Sequence, residues 1–238
     1  MPLSDQEFQS YVARLSLSDA AIDYITATRD SQPARVVRSS GSHNTVWRYP
    51  SAKMGFAVAL ESTEEHTYAA QLEYDQAVIE YWEQSSRVNL SVLDVHGKTR
   101  RAAYVPDFLI LNNSGVELVQ VKTISECARL AAANPNRWTW DGVAAADLAA
   151  DTYFRELGLV HRVVADGHIR RIFAENCLLL LRIRQAPTQS MDARRVAKAV
   201  FLLRRRLHAK WMARTSLMCL LAPNGLDLHI NYHIDDTM

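Results

Sequence analysis

Apolar positions recur at helical spacing through residues 4–29. Ser4 and Ser18 stand where helix N-caps are expected, and the apolar residues between positions 22 and 25 can form a buried face. This stretch therefore predicts amphipathic helices. The next stretch, Ser31–Pro50, loses the pattern and is rich in Ser, Arg, Pro and Asn, which is typical of an extended arm or loop.

Short apolar runs separated by turn signals fill the next part of the chain. Ser62 can cap a helix that runs to about Tyr74, because Glu65 follows it at the capping-box spacing. His96-Gly97-Lys98 and Asn112–Gly115 are tight-turn signals. Strands are predicted around these turns, over Val78–Glu83, Val88–Val95, Arg101–Leu111 and Val116–Lys122. A helix followed by strands joined through tight turns predicts a mixed sheet with a helix on its face.

Beyond Lys122 the chain is rich in alanine and predicts helix to about Leu157, with an interruption at Asn134–Trp140. Leu159–Val164 is a further predicted strand, and the helical stretch before it supplies the crossover needed to add a strand to the sheet. These alternating elements favour an α/β fold for the first part of the chain.

The C-terminal part has a different pattern. Helices are predicted over 173–184, 192–208 and 210–222, and Leu226–Tyr232 alternates like a strand. Three short helices and a terminal strand are typical of a winged-helix module. We therefore predict an α/β domain over residues 1–172, including an N-terminal helix and arm, and a small winged-helix-like domain over residues 173–238.

Charge is unevenly distributed, although the net charge is only +1. Residues 1–160 carry 14 Lys/Arg and 20 Asp/Glu, whereas residues 161–215 carry 13 and 3. The basic segment favours a polyanionic partner such as a nucleic-acid backbone, although solvated helix faces would give the same counts.

Several features argue against a membrane or secreted protein. No stretch approaches the roughly 18 apolar residues that a membrane span needs. Met1–Asp5 lacks the basic and apolar regions of a signal peptide. Cys127, Cys177 and Cys219 have no metal-ligand spacing and are expected to be reduced thiols. These features predict a cytoplasmic protein that does not act at a membrane.

The strongest candidate chemistry combines a Pro-Asp pair with a Gln-x-Lys strand. Gln120 follows Asp107 by thirteen positions, and a strand, a four-residue turn and a second strand fill that gap. The two strands can therefore bring Asp107, Gln120 and Lys122 together at one end of the sheet. Because side chains alternate along a strand, Gln120 and Lys122 share one face.

This set suits the hydrolysis of a phosphodiester. Asp107 offers an anionic ligand for magnesium, Gln120 an amide oxygen and Val121 a backbone carbonyl, while Glu65 on the preceding helix would supply a second carboxylate. A bound metal would activate water and neutralise developing charge, and Lys122 would orient the water and stabilise the phosphorus centre. The bare pattern occurs by chance in many hairpins, so ordinary turn and surface roles stay open for these residues.

A longer ordered series of motifs points to a family. It includes Glu61-Ser62-Thr63-Glu64-Glu65, Tyr81-Trp82-Glu83-Gln84, Tyr104-Val105-Pro106-Asp107-Phe108 and Val119-Gln120-Val121-Lys122. This series resembles the TnsA family, the endonuclease subunits of heteromeric transposases. The resemblance covers residues 35–125 clearly, and it continues more loosely through residues 153–164 and 217–234.

The resemblance implies a PD-(D/E)xK nuclease with a restriction-endonuclease-like core. It implies that Glu65, Asp107, Gln120 and Val121 hold Mg²⁺, for which Mn²⁺ would substitute, and that Lys122 is the catalytic lysine. Most PD-(D/E)xK nucleases have Asp or Glu where this chain has Gln120, so the metal site lacks one negative charge. We therefore expect weak metal binding until a DNA phosphate joins the coordination shell.

The resemblance also implies a role in cut-and-paste transposition. The chain would cleave the 5′ ends of the element, the non-transferred strands, in the double-stranded DNA of a bacterial nucleoid. A TnsB-like DDE transposase would cut and join the 3′ ends, and a TnsC-like AAA+ ATPase would dock on the endonuclease.

Two groups of basic residues are candidate DNA contacts, although a loop or a solvated helix face would explain either group. The first lies in and just after the predicted arm, and the second in the basic C-terminal segment. They are Arg35, Arg38, Arg48 and Lys53, and Arg194, Arg195 and Lys198.

Three alternatives stay open. Glu61 lies four residues before Glu65 on the same helix face and could take its place. A stand-alone nuclease for restriction or phage defence would use the same residues. The retention of Glu65, Asp107 and Lys122 argues against a catalytically inactive scaffold that only binds DNA or a partner. The exchange at Gln120 keeps this alternative open.

Overall fold

The computed structural model describes residues 1–31 and 47–185 of the chain. The chain divides after Ile169 into two units, Met1–Ile169 and Arg170–Met238. Several predictions fall outside the described residues. They are the helices at 192–208 and 210–222, the strand at Leu226–Tyr232, and the candidate DNA contacts Arg35, Arg38, Arg194, Arg195 and Lys198.

The described elements alternate along the chain. The helices are α1 (Asp5–Leu15), α2 (Asp19–Asp30), α3 (Thr63–Tyr74), α4 (Ile124–Ala133), α5 (Leu148–Glu156) and α6 (Arg171–Gln185). The strands are β1 (Trp47–Pro50), β2 (Ala57–Leu60), β3 (Val78–Glu83), β4 (Val88–Leu93), β5 (Thr99–Tyr104), β6 (Phe108–Asn112), β7 (Gly115–Lys122), β8 (Trp138–Trp140), β9 (Ala145–Asp147) and β10 (Val160–Ala165). The predicted α/β class is therefore confirmed.

Three of the helix starts follow local capping signals. Ser4 caps α1 reciprocally with Glu7, and Ser18 caps α2 by accepting from the Ala21 N–H. Ser62 caps α3 in the same way, by accepting from the Glu65 N–H. Each cap satisfies a backbone donor that the helix itself leaves unpaired. The N-terminal pair and the helix at Ser62 were predicted from these residues, and both predictions are confirmed.

Six strands form the main sheet, in the order β3–β6–β7–β10–β9–β8. β10 pairs with β7 in parallel, whereas the other neighbours are antiparallel, so the sheet is mixed as predicted. The parallel pair requires a long connection, and the chain from α4 to α5 provides it. Two further hairpins, β1–β2 and β4–β5, stand as two-stranded sheets.

The sheet is packed on both sides. On one side, Tyr68 of α3 meets Phe108 of β6 edge to face, with ring centroids 5.5 Å apart. On the other side, one core cluster joins α1, α2, α5 and the β4–β5 hairpin to the centre of the sheet. Among its members are Tyr11, Ile25, Leu90, Leu109, Leu118 and Phe154. Strand β6 and the middle of β7 are therefore buried on both faces.

Two segments differ from the sequence prediction. The interruption predicted inside a helix is in fact the β8–β9 hairpin, in which Trp138 packs against Cys127 and Val163. The single strand predicted over Arg101–Leu111 is two strands in different sheets. The break falls at Pro106, which has no N–H to donate to a ladder, so the chain leaves one sheet there and enters the other.

No helix in residues 1–31 or 47–185 is both long enough and apolar enough to cross a membrane. Helix α6 matches the first helix predicted for the C-terminal part, at 173–184.

Candidate functional site

The hairpin of β6 and β7 brings Asp107 to Gln120. Phe108 pairs with Val119 in the antiparallel register, so the residue before β6 lies beside the end of β7. One carboxylate oxygen of Asp107, Oδ2, accepts a 2.5 Å hydrogen bond from Gln120 Nε2 and a 2.8 Å bond from the Val121 N–H. The predicted meeting of these residues is therefore present in the structure.

The first turn of α3 holds Glu65. Its carboxylate accepts from the Glu61 N–H at 2.9 Å and from the Ser62 hydroxyl at 3.1 Å, while its own N–H donates to the Ser62 hydroxyl at 3.0 Å. The cap that starts the helix thus also fixes the direction of the carboxylate. The neighbouring Glu61 contributes its backbone to this arrangement, and its charge raises the pKa of Glu65.

Electrostatic coupling joins the site residues. Burial, followed by the negative charge of Glu65, raises the pKa of Asp107 to about 7. Burial also raises the pKa of Glu65, and the positive charge of Lys122 lowers both values. The Glu65 and Asp107 residues are each only 7 % exposed. The site is therefore a buried pair of acids in which both negative charges are difficult to maintain together.

A divalent cation would fit this pair. A cation between two buried carboxylates removes the repulsion that raises the pKa of Asp107. Both hydrogen bonds to Asp107 reach Oδ2, and Oδ1 accepts none within the described residues. Carboxylate and amide oxygens are also the ligands that magnesium prefers. Glu65, Asp107 and Gln120, with the Val121 carbonyl, are the residues that could hold it.

The ligand set is poor in charge, because its third side chain is an amide. Within residues 1–31 and 47–185, no group of three or more His, Cys, Asp or Glu side chains could hold a metal ion. Gln120 stands where a third carboxylate would complete such a group. A cation held here would therefore have two carboxylates and one amide as its side-chain ligands.

Lys122 has a partner that the sequence analysis missed. Its Nζ lies 3.5 Å from Glu126 Oε1, in the first turn of α4. Thr123 caps that helix by accepting from the Glu126 N–H, and this spacing of a capping threonine before a glutamate was available as a signal. The Lys122 side chain is 21 % exposed, so the ammonium group stands at the edge of the site.

The end of β3 anchors the backbone at the site. The Gln84 N–H donates to the Asp107 carbonyl at 2.9 Å, and the Ser85 N–H donates to the Pro106 carbonyl at 3.2 Å. Gln84 adopts a left-handed conformation, with φ 49°, which turns the chain out of β3. Glu83 accepts from the Ala59 N–H and so ties β3 to β2. The Glu-Gln motif therefore supports Asp107 through the main chain.

The candidate DNA contacts within the described residues differ from each other. Arg48 lies on β1, is exposed, and stands opposite Ala59 in the hairpin that leads to Glu61. Lys53 instead donates through Nζ to the Asp75 and Val78 carbonyls, at 2.6 Å each. Desolvation lowers the pKa of Lys53. The structure therefore gives Lys53 an internal anchoring role, and DNA contact by either residue stays a prediction.

Comparison with models of known protein families gives no match for this chain. Comparison with curated proteins likewise gives no match.

Proposed function

We propose that this chain is a magnesium-dependent DNA endonuclease of the PD-(D/E)xK type. The observation that carries the proposal is the buried pair of Glu65 and Asp107, electrostatically coupled to Lys122 and bonded to Gln120. An isolated pair of buried acids is unfavourable for folding, so a site of this kind is a candidate for cation and phosphate chemistry. Mn²⁺ would substitute for Mg²⁺.

Each residue has a distinct role in the proposal. Asp107 and Glu65 hold the cation, with Gln120 and the Val121 carbonyl as neutral oxygen ligands. The bound cation would lower the pKa of a water molecule and neutralise charge on the phosphate. Lys122 would stabilise the pentavalent phosphorus centre and orient the attacking water, after exchanging Glu126 for the phosphate. The buried β6 and β7 keep this set rigid.

We further propose that the chain acts in cut-and-paste transposition, as a TnsA-like endonuclease that cleaves the non-transferred strands. This proposal rests on the order of the sequence motifs. Their positions on a helix start, a strand start and a strand end are compatible with it. Its partners would be a TnsB-like DDE transposase and a TnsC-like AAA+ ATPase, and its C-terminal residues would form the winged-helix-like domain.

An inactive scaffold is the second candidate, and one observation favours it. Burial and the charge of Glu65 raise the pKa of Asp107 to about 7, so the neutral acid is more stable here than in an ordinary aspartate when no cation is bound. Together with the amide of Gln120, this property also suits a core that has lost its metal. Such a protein would bind DNA or a transposase without cutting.

A nicking assay decides between these candidates. Labelled duplex DNA carrying candidate transposon ends would be incubated with Mg²⁺ or Mn²⁺, with and without the neighbouring transposase. The enzyme variant is Asp107→Asn, and Asp141→Asn is the matched control because Asp141 sits in an exposed turn where asparagine makes the same bonds.

We expect metal-dependent nicking by the wild type and the control, and none by Asp107→Asn. Cutting that requires the transposase would support the transposition role, whereas equal cutting alone would favour the stand-alone nuclease. DNA binding without cutting under every condition would reject the nuclease and leave the scaffold.

A further inference from the structure

The outer face of the β4–β5 hairpin is exposed along its whole length. Strand alternation and the register place Asn89, Ser91 and Leu93 of β4 opposite Ala103, Arg101 and Thr99 of β5. All six are exposed, and we call this surface the ribbon face. The intervening residues of β4 are buried, which gives the strict inside–outside alternation of a ribbon covered on one side only.

The inner side holds the hairpin rigidly. Val88, Leu90 and Tyr104 belong to the core cluster shared with α1, α2 and α5. The tip is also fixed, because side-chain amides reach over from the loop after α4. Asn134 Nδ2 donates to the Leu93 carbonyl, and Asn136 Nδ2 donates to the Asp94 carbonyl, at 2.8 Å each. The ribbon face is thus an exposed surface on a rigid support.

The base of the hairpin adjoins the proposed active site. β5 ends three residues before Asp107, and β4 begins four residues after Gln84, whose N–H bonds the Asp107 carbonyl. Alternation along β6 and β7 puts Asp107 and Gln120 on the side of the sheet that bears Leu109 and Leu118. These leucines belong to the same core cluster as the hairpin. The hairpin therefore lies on the side of the sheet that Asp107 and Gln120 face, whereas Glu65, on α3, reaches the site from the other side.

The charge of the hairpin suits a polyanion. Residues 87–103 contain four basic residues, of which Arg101 lies on the ribbon face, and one acid, Asp94, which binds Arg100 at 2.9 Å. No side chain of the described residues pairs with Arg101 in the middle of the ribbon face. The other polar groups there are an amide and hydroxyls, which are common partners of base edges and phosphates.

The dimensions also match a DNA groove. Two paired strands lie about 5 Å apart, and six residues of strand extend about 20 Å. The major groove of B-form DNA is about 12 Å wide and admits a two-stranded ribbon. A ribbon with short side chains on its outer face can approach the floor of such a groove closely.

We infer that the ribbon face binds in a groove of duplex DNA and positions the scissile phosphate at Asp107. Arg101 would contact a phosphate or a guanine, and Asn89 and Ser91 would contact neighbouring groups. The inference rests on the proposed function and deepens it, because it names the surface of this chain that selects where the site cuts.

The test uses the full chain and two variants of different kinds. Arg101→Glu reverses the charge of the ribbon face, whereas Ser91→Trp adds bulk without charge. The matched control is Arg14→Glu, because Arg14 bonds the Asn113 carbonyl at the far ends of β6 and β7. The measurements are KM and kcat for nicking, and the Kd of a fluorescein-labelled duplex for each variant combined with Asp107→Asn. Circular dichroism checks that every variant folds.

We expect Arg101→Glu to raise KM and Kd roughly tenfold or more. It should also reduce the slope of log K against log salt by about one. Ser91→Trp should raise KM similarly, while kcat and the Arg14→Glu control stay within about twofold of the wild type. Wild-type KM and Kd in both ribbon variants would overturn the inference and leave the face to a protein partner. A fall in kcat alone would overturn it as well.

The two proposals fail in different ways. A wild-type chain that binds the duplex through the ribbon face but never cuts would reject the nuclease and keep the ribbon. If the chain cuts DNA and its KM does not change when Arg101 or Ser91 is substituted, DNA binding by the ribbon face is rejected and the nuclease proposal is kept. A chain that neither binds nor cuts duplex DNA would reject both.

Discussion

Two buried acidic sites in this protein, one at Glu80 and one at Glu65 and Asp107, have opposite surroundings. Glu80 of β3 has no exposed side-chain surface, and four donors surround it. These are the Leu3 N–H, the Arg29 Nε and terminal guanidinium N–H groups, and the Trp82 indole N–H. Asp107 is also buried, and its pKa is raised first by that burial and then by the negative charge of the second acid, Glu65.

The contrast indicates what each cluster is for. The charge of Glu80 is neutralised within the protein, since Arg29 also donates to the Leu3 carbonyl and lies 4.2 Å from the Phe8 ring centroid. That cluster fastens the N-terminus, α2 and β3 together. At the other site, burial and the charge of Glu65 raise the pKa of Asp107, and Lys122 only partly offsets this effect. A divalent cation bound between the two acids would remove the remaining repulsion.

The largest effect on folding should come from breaking the satisfied cluster. Arg29→Met leaves the Glu80 carboxylate buried without its cation, so we expect the free energy of unfolding to fall by about 3–5 kcal/mol. Urea denaturation measures this loss.

The matched control is Arg100→Met, because the Arg100–Asp94 pair is exposed, with 65 % of the arginine side chain accessible. There the loss should be below about 1 kcal/mol. Equal losses for the two variants would contradict the structural role of the Glu80 cluster.

The sequence predicts the elements whose signals are local. Ser62 marks the start of α3, and the turn at Asn112–Gly115 sets the β6–β7 register, so the meeting of Asp107 with Gln120 could be predicted. The β8–β9 hairpin could not, because it depends on distant partners. Arg137 pairs with the fully buried Asp147 at 2.6 Å, and Trp138 is buried against α4 and β10. A tertiary environment, rather than propensity, decides such short strands.

The same reasoning applies to the site. The sequence pattern places Asp107 within the single strand predicted over Arg101–Leu111, whereas it lies between two strands, immediately before β6, which belongs to another sheet. Glu80 gave no local signal of its role, because its partner Arg29 is 51 residues away. The raised pKa of Asp107 also depends on Glu65, 42 positions earlier, and on burial. Charge coupling at this distance in sequence is visible only once the fold is known.

A smaller effect on the free energy of unfolding should follow from replacing Asp107, whose negative charge has no neutralising partner among the described residues as close as that of Glu80. The pKa of Asp107 is about 7 in the folded protein, above its usual value of 3.8. Between about pH 4 and pH 7 the unfolded chain therefore loses this proton while the folded chain keeps it. The stability contributed by protonated Asp107 is present below pH 4 and is lost as pH rises to about 7. Asp107→Asn has no such loss, so in EDTA it should become more stable than the wild type as pH rises.

Urea unfolding of the wild type and Asp107→Asn, at several pH values in EDTA, measures this difference. Each unit of pKa shift corresponds to about 1.4 kcal/mol, so the shift from 3.8 to about 7 predicts a difference of up to about 4 kcal/mol near pH 7. Mg²⁺ should stabilise the wild type and leave the variant unchanged. A difference that does not vary with pH would show that Asp107 is ionised without a cation, and would weaken the contrast with Glu80.

The smallest predicted effect tests the neutral member of the site. Gln120→Glu replaces an amide ligand by a carboxylate and removes the N–H that donates to Asp107 Oδ2. A third negative charge should increase the affinity for Mn²⁺ roughly tenfold, which corresponds to about 1.4 kcal/mol. It should also make binding depend more steeply on pH, because repulsion raises the pKa of Asp107 further. Isothermal titration calorimetry measures both the affinity and its dependence on pH.

Gln120→Ala, which removes the oxygen without adding charge, should weaken Mn²⁺ binding instead. If both variants bind Mn²⁺ as the wild type does, Gln120 is not a ligand, and its only role is the hydrogen bond that keeps Asp107 in position.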